Sequence, residues 1–134
     1  MKEAISYLEF CIRTLGCQDR ALHNYLVSLY VRVDPETLMT YLNSQGQDAA
    51  AVAYDPHFVL RLCREHKLTR ACVQVSALLG QWESAVDLAL KMDVDLAKQI
   101  ALQPQDDSDL QRKLWLKIGK WFHHEISKSR KDLD

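Results

Sequence analysis

The sequence predicts an all-α protein, an α-solenoid of antiparallel helix hairpins with about eight helices and no strand. Three observations carry that expectation. Apolar residues recur at three- and four-residue spacings almost from end to end, the pattern of helices with one buried face. Aspartate precedes those stripes at Asp19, Asp34, Asp55 and Asp93, twice followed by proline, and glycine closes them at Gly16 and Gly80. The segments LGCQDRAL (15–22) and LGQWESAV (79–86) share a Leu-Gly pair and, five residues after the glycine, an alanine, at an offset of 64 residues. Two hairpins of roughly 30–35 residues fill that offset, the period of solenoids built from helix pairs. Glycine lets the first helix of a pair end sharply, and alanine lets the second backbone come close. Gly16, Ala21, Gly80 and Ala85 are therefore the expected repeat-packing positions.

The elements follow in order. Ala4, Ile5, Leu8, Cys11, Ile12 and Leu15 make the first stripe, which stops at Gly16. Asp19 caps a second helix carrying Ala21, Leu22, Tyr25, Leu26 and Leu29, and so short a gap makes the two an antiparallel hairpin. Asp34-Pro35 opens a third helix with Leu38, Met39 and Leu42 inward. Residues 43–53 (NSQGQDAAAVA) read as a loop in which residues 49–52 add at most a short turn. Asp55-Pro56 opens a fourth helix with Phe58, Val59, Leu62 and Cys63 on one face. Thr69 begins a fifth, with Ala71, Cys72, Val75, Leu78 and Leu79, and beyond Gly80 a sixth carries Trp82, Ala85, Val86, Ala89 and Leu90 as its hairpin partner. Asp93 caps a seventh through Leu96, Ala97 and Ile100, which Pro104 keeps short. The DDSD run at 106–109 caps a long eighth helix reaching at least Glu125. One solenoid over residues 1–125 is expected, followed by a frayed helix end or linker over 126–134. The polar ending SKSRKDLD reads as a stop inside a longer chain.

Composition excludes several functions. Of 134 residues, 48% are apolar and 26% charged, the balance of a folded globular chain. Lys and Arg number 17 against 18 Asp and Glu, so no global field recruits nucleic acid. Apolar runs are too broken to span a bilayer, and Met1-Lys2-Glu3 leads straight into a helix without the features of a signal peptide. Cys11, Cys17, Cys63 and Cys72 form no C-x-x-C pair and read as free, buried thiols in a reducing compartment. The five histidines (His23, His57, His66, His123 and His124) lack metal spacing and read as helix-surface or capping residues. Asp106, Asp107 and Asp109 lack the glycine and terminal glutamate of a calcium loop and suit a helix N-terminus. Most of Trp82, Trp115, Trp121, Tyr7, Tyr25 and Tyr30 fall in helix stripes, where core packing is their usual role. No catalytic, cofactor or metal residue is assigned, and an enzyme is not expected.

On the last helix, Lys113, Lys117, Lys120, His124 and Lys131 fall within one narrow arc, opposite Leu114, Ile118, Trp121 and Phe122. The four lysines form a possible basic interaction stripe for anionic lipid or an acidic partner; the alternative is a solvated outer face. Apolar faces at the two ends of a solenoid segment also lead us to expect self-association into a dimer.

Beyond these local readings, YLEFC (7–11), ALHNYLVSLY (21–30), YDPHFVLRLCREHKLTRACV (54–73), AVDLALKMDVDLAKQIA (85–101) and RKLWLKI (112–118) closely resemble the vacuolar protein sorting eighteen (Deep orange) family. The resemblance reaches to about Phe122. It implies a clathrin-heavy-chain-like solenoid from a core subunit of the HOPS and CORVET tethering complexes, working in endosome–lysosome or vacuole trafficking and SNARE-dependent fusion. It further implies class C core subunits as partners, and a cytoplasmic site on late-endosomal and lysosomal or vacuolar membranes with only peripheral lipid contact. The β-propeller and RING zinc domain of such proteins have no counterpart in this sequence, so metal binding is not carried over. Without the resemblance, the residues support a helical-repeat binding module, with a TPR-like peptide-binding adaptor as the alternative.

Overall fold

The computed structural model describes residues 2–133, with side chains described through Arg130, and shows eight helices and no strand among them. They are α1 (Lys2–Arg13), α2 (Arg20–Val33), α3 (Pro35–Gln45), α4 (Pro56–Glu65), α5 (Thr69–Leu78), α6 (Trp82–Leu90), α7 (Val94–Leu102) and α8 (Ser108–Leu133). The chain divides into two compact units, residues 1–79 and 80–134.

Local chemistry sets the helix starts. Asp19, Asp34, Asp55 and Asp93 each accept a backbone N–H from the first turn of the helix they precede, and proline follows Asp34 and Asp55 at the first helical position. Of the DDSD run, Asp107 performs this task for α8, taking the Leu110 N–H at 3.0 Å. Asp34 is a one-residue joint: its own N–H bonds the Tyr30 carbonyl at the end of α2 while its carboxylate starts α3. The Thr37 hydroxyl and amide hold that carboxyl below its usual range.

In the first unit, α2 is central, packing on α1, α3 and α4, while α4 pairs with α5. Contact on three sides buries more of α2 than one stripe: His23, Leu26, Val27, Leu29, Tyr30 and Val31 are inside. Tyr25, expected on the stripe, is 53% exposed, and Leu15 at the end of the first is 68% exposed. The segment after α3 turns at Gly46 and then buries Val52, Ala53 and Tyr54. It is thus part of the core, held where the Ala53 N–H donates to Gln45 Oε1 at 3.0 Å.

In the second unit α6, α7 and α8 all pack on one another. Ala85 and Ala89 of α6 and Ala97 and Ala101 of α7 have no exposed surface, so small side chains bring the two backbones together, and Leu114 and Ile118 of α8 close the core. The last helix, expected to reach at least Glu125, runs to Leu133.

Candidate interaction surfaces

The four repeat-packing positions do not behave alike. Gly16 and Gly80 both adopt positive φ, 64° and 75°, as a sharp helix end requires, and the space around each is open. Ala85 is fully buried, whereas Ala21 is exposed, which corrects the expectation that it lets two helices approach. The reason is phase. After Gly80, α6 starts at Trp82 and Ala85 is its fourth residue; after Gly16, α2 starts only at Arg20 and Ala21 is its second. Two residues rotate a side chain by about 200°, so one sequence spacing reaches opposite faces.

The place of Ala21 as the inward residue falls to His23, which corrects its reading as a surface histidine: it has no exposed surface. Its Nε2 lies 2.9 Å from the Cys17 carbonyl and its Nδ1 2.6 Å from the Tyr41 hydroxyl. A carbonyl only accepts, so Nε2 carries the hydrogen, and in that neutral tautomer Nδ1 accepts from the Tyr41 O–H. The loop after α1, helix α2 and helix α3 thereby share one buried side chain. Aromatic rings extend the contact, with Tyr41 6.0 Å from the His23 ring, 5.9 Å from Tyr30 and 6.0 Å from Tyr54 between centroids. Burial pushes the Tyr41 and Tyr30 hydroxyls well above their usual range, and that of Tyr54 up to about 12. Tyr30 also donates to Glu9 Oε1 at 2.7 Å, fastening α1 to α2.

Beside this cluster opens a cleft of about 320 Å³, lined by apolar and aromatic residues such as Ile12, Leu26 and Tyr30 and by polar ones that include Glu9, Arg13, Gln18 and Thr40. It was not legible in the sequence, because its lining comes from α1, the loop after it, α2 and α3 at unrelated spacings and each residue is unremarkable alone.

The remaining candidates sort cleanly. Cys63 and Cys72 are buried, as expected, and burial raises both thiols, Cys63 up to about 12. Cys11 and Cys17 are only half-buried, which corrects their reading as buried thiols. His57, His66, His123 and His124 are exposed. Of the six aromatic residues placed in helix stripes, Tyr30 is buried; Tyr7 is 68% exposed, Tyr25 53%, Trp82 and Trp121 are half-buried, and Trp115 is 38% exposed. Among the described residues no group of three or more His, Cys, Asp or Glu side chains is arranged to hold a metal ion. Nor, among the described residues, is any helix long and apolar enough to cross a membrane.

On α8, Lys113 and Lys120 are exposed, but Lys117 is half-buried and pairs with Asp87 of α6, its Nζ 3.3 Å from Oδ1. That lysine is spent inside the unit, a correction to the stripe, and the side chain of Lys131 lies outside the described residues. Phe122 is 39% exposed rather than turned inward, and Trp115, Leu116 and Ile126 are exposed as well. The Lys98 ammonium of α7 stands 5.7 Å from the centre of the Phe122 ring. Arg112, Lys128 and Arg130, exposed but off the expected arc, were missed because only one narrow angular window was considered.

Residues 1–122 match the family model described as VPS18, alpha-solenoid domain, second half. The chain is 48% identical over 120 residues to the vacuolar protein sorting-associated protein 18 homolog of Danio rerio, covering 90% of this chain and 12% of that protein. To the homolog of Drosophila melanogaster it is 42% identical over 120 residues, with the same coverage. To vacuolar membrane protein pep3 of Schizosaccharomyces pombe it is 33% identical over 123 residues, 89% of this chain and 13% of that protein. The chain thus spans about an eighth of the length of these relatives. No solved structure matches it.

Proposed function

The chain belongs to the VPS18 alpha-solenoid family, and from that premise we propose that it is a non-enzymatic scaffold segment of a vacuolar sorting protein, working by presenting helical surfaces to other subunits. The observation that carries this is the solenoid second-half match over residues 1–122 on an all-helical chain. A buried polar side chain supports it: both ring nitrogens of His23 are engaged in holding α2 to α3 and to the loop after α1. In the finer reading the partners are the class C core subunits of the HOPS and CORVET tethers. The setting is then the cytoplasmic face of late endosomes and lysosomes or vacuoles, and the outcome is SNARE-dependent fusion. Names of the relatives point the same way, two being vacuolar protein sorting proteins and one a vacuolar membrane protein.

The test is a binding assay of this chain, immobilised, against each purified class C core subunit. Saturable binding of at least one, competed by the free chain, is expected; binding of none leaves the family assignment standing and removes the docking role.

The polar cleft favours a second reading, a peptide-gripping adaptor. Its volume suits one or two side chains, and Glu9, Arg13, Gln18 and Thr40 supply donors and acceptors for an extended backbone. Under this reading Arg13→Glu lowers the binding of short polar peptides and leaves subunit binding unchanged; under the scaffold reading no short peptide competes with the subunits.

A further inference from the structure

All four thiols are free, and two of them lie on the arms of one turn. Cys63 and Cys72 are buried, whereas Cys11, in the last turn of α1, and Cys17, just beyond its end, are half-buried. The Cys17 N–H donates to the Cys11 carbonyl at 3.2 Å. Adding the covalent bonds on either side of that contact holds the two Cα atoms below about 7 Å, and the bend at each atom brings them nearer. A disulfide spans Cα separations of about 4.4–6.8 Å.

Gly16 makes the turn, with φ 64° and open space around it. As the left-handed residue that closes the helix it sets Cys17 directly beyond itself and Cys11 one turn back, positions whose side chains commonly meet across such a helix end. The outer arm is also fixed. The Cys17 carbonyl accepts the Nε2–H of the buried His23 at 2.9 Å, and two residues on the Asp19 carboxylate caps α2 through the Ala21 N–H. Both backbone groups of Cys17 are therefore held, one by α1 and the other by α2. The chain freedom that keeps two thiols apart in an unfolded polypeptide is removed here before any bond between them forms.

We propose that Cys11 and Cys17 are a modification site, a thiol pair that a low-molecular-weight disulfide such as glutathione disulfide oxidises to an intramolecular disulfide. The thiolate of one cysteine attacks a sulfur of glutathione disulfide, which forms a mixed disulfide and expels one glutathione thiolate; the thiolate of the other attacks the protein sulfur of that mixed disulfide and expels the second. The protein gives up two protons, which the two glutathione thiolates take up, and the two electrons lost by its sulfurs reduce the glutathione S–S bond. Excess reduced glutathione runs the exchange backwards. Cys63 and Cys72 take no part, because burial shuts out the reagent and disfavours their thiolates. The new bond fastens the end of α1 to the corner that His23 holds, beside the part of the cleft lined by Ile12, Arg13 and Gln18.

The test incubates the 134-residue chain in glutathione buffers of graded oxidised-to-reduced ratio, quenches in acid, alkylates the remaining thiols after unfolding and maps the peptides by mass spectrometry. At the oxidised end the expected product is a monomer lighter by two hydrogens, with residues 11 and 17 joined and Cys63 and Cys72 alkylated, and excess reduced glutathione restores the dithiol. The ratio at half-conversion gives the effective concentration of the pair, expected to be at least about tenfold higher in the folded chain than in the same chain in urea. By linkage the oxidised chain melts about 3 °C or more above the reduced one. Cys11→Ser and Cys17→Ser, which keep their helical circular dichroism, stop at the glutathione adduct. A mixed disulfide that never resolves in the unaltered chain, a bond between two chains, a bond to Cys63 or Cys72, or an effective concentration no higher folded than in urea overturns the proposal. The comparison of folded with unfolded chain needs neither variant, so a misfolded variant leaves the decision intact.

Discussion

At position 41 a hydroxyl is the partner of Nδ1 on the buried His23, so the Tyr41→Phe variant leaves that nitrogen without its partner. A loss of about 1–3 kcal/mol in urea unfolding is expected. Lys67 is the opposite case. It takes φ 57° at the end of α4, where the Leu68 N–H reaches back to the Cys63 carbonyl and the Lys67 N–H to that of Arg64, the bonding of a Schellman turn. Glycine is at ease in that conformation and lysine is not, so Lys67→Gly is expected to stabilise the fold by roughly 1 kcal/mol in the same assay. Nothing in the local sequence foretells either feature. Histidine and lysine are ordinary surface residues by composition, and only packing against three elements, or a turn imposed by its neighbours, makes them otherwise.

The thiols also belong to this scale. With Cys63 pushed up to about 12 and Cys72 likewise raised, a mild alkylating agent near pH 8 should label Cys11 and Cys17 in the native protein and spare the other two until unfolding. The sign of the pH dependence follows. Below pH 9 these thiols are protonated in both states; between about 9 and 12 the unfolded chain ionises while the folded one resists, so stability falls with rising pH across that window. Fluorescence-monitored unfolding at several alkaline pH values reads it directly.

Among elements, those with strong local punctuation were the most legible. Asp-Pro pairs at 34–35 and 55–56 mark helix starts because a carboxylate cap and a proline at the first position act within one turn, whatever the rest of the fold does. The long eighth helix was legible by its cap and stripe, but not the fate of its faces. Its two buried residues hold it to α6 and α7, and Leu114→Ala is expected to cost about 2–5 kcal/mol. The adjacent Leu116→Ala, at a position 56% exposed, is expected to change stability by less than about 0.5 kcal/mol, and paired thermal melts compare the two. The Leu-Gly repeat taught a related lesson. Spacing along the chain matched in both copies, yet the two helices begin at different distances from their glycines, so Ala85 is buried and Ala21 is not. A motif fixes an orientation only when the helix start is fixed with it.

For the molecule as a whole, the helical class and family were legible because both are written redundantly, in stripes, caps and whole segments shared with relatives. The surfaces were not, since the cleft in the first unit and the exposed face of α8 in the second draw residues from separate helices or angular sectors. The central claim, that this segment is a scaffold through which a vacuolar sorting protein holds its neighbours, is tested most directly in a full-length relative from which the stretch matching residues 1–122 has been removed. The protein left behind is purified from cells and its associated class C core subunits are quantified against the intact form. Loss of at least one subunit, with the abundance and fold of the shortened protein preserved, is the predicted result; retention of every subunit at intact stoichiometry would contradict the account.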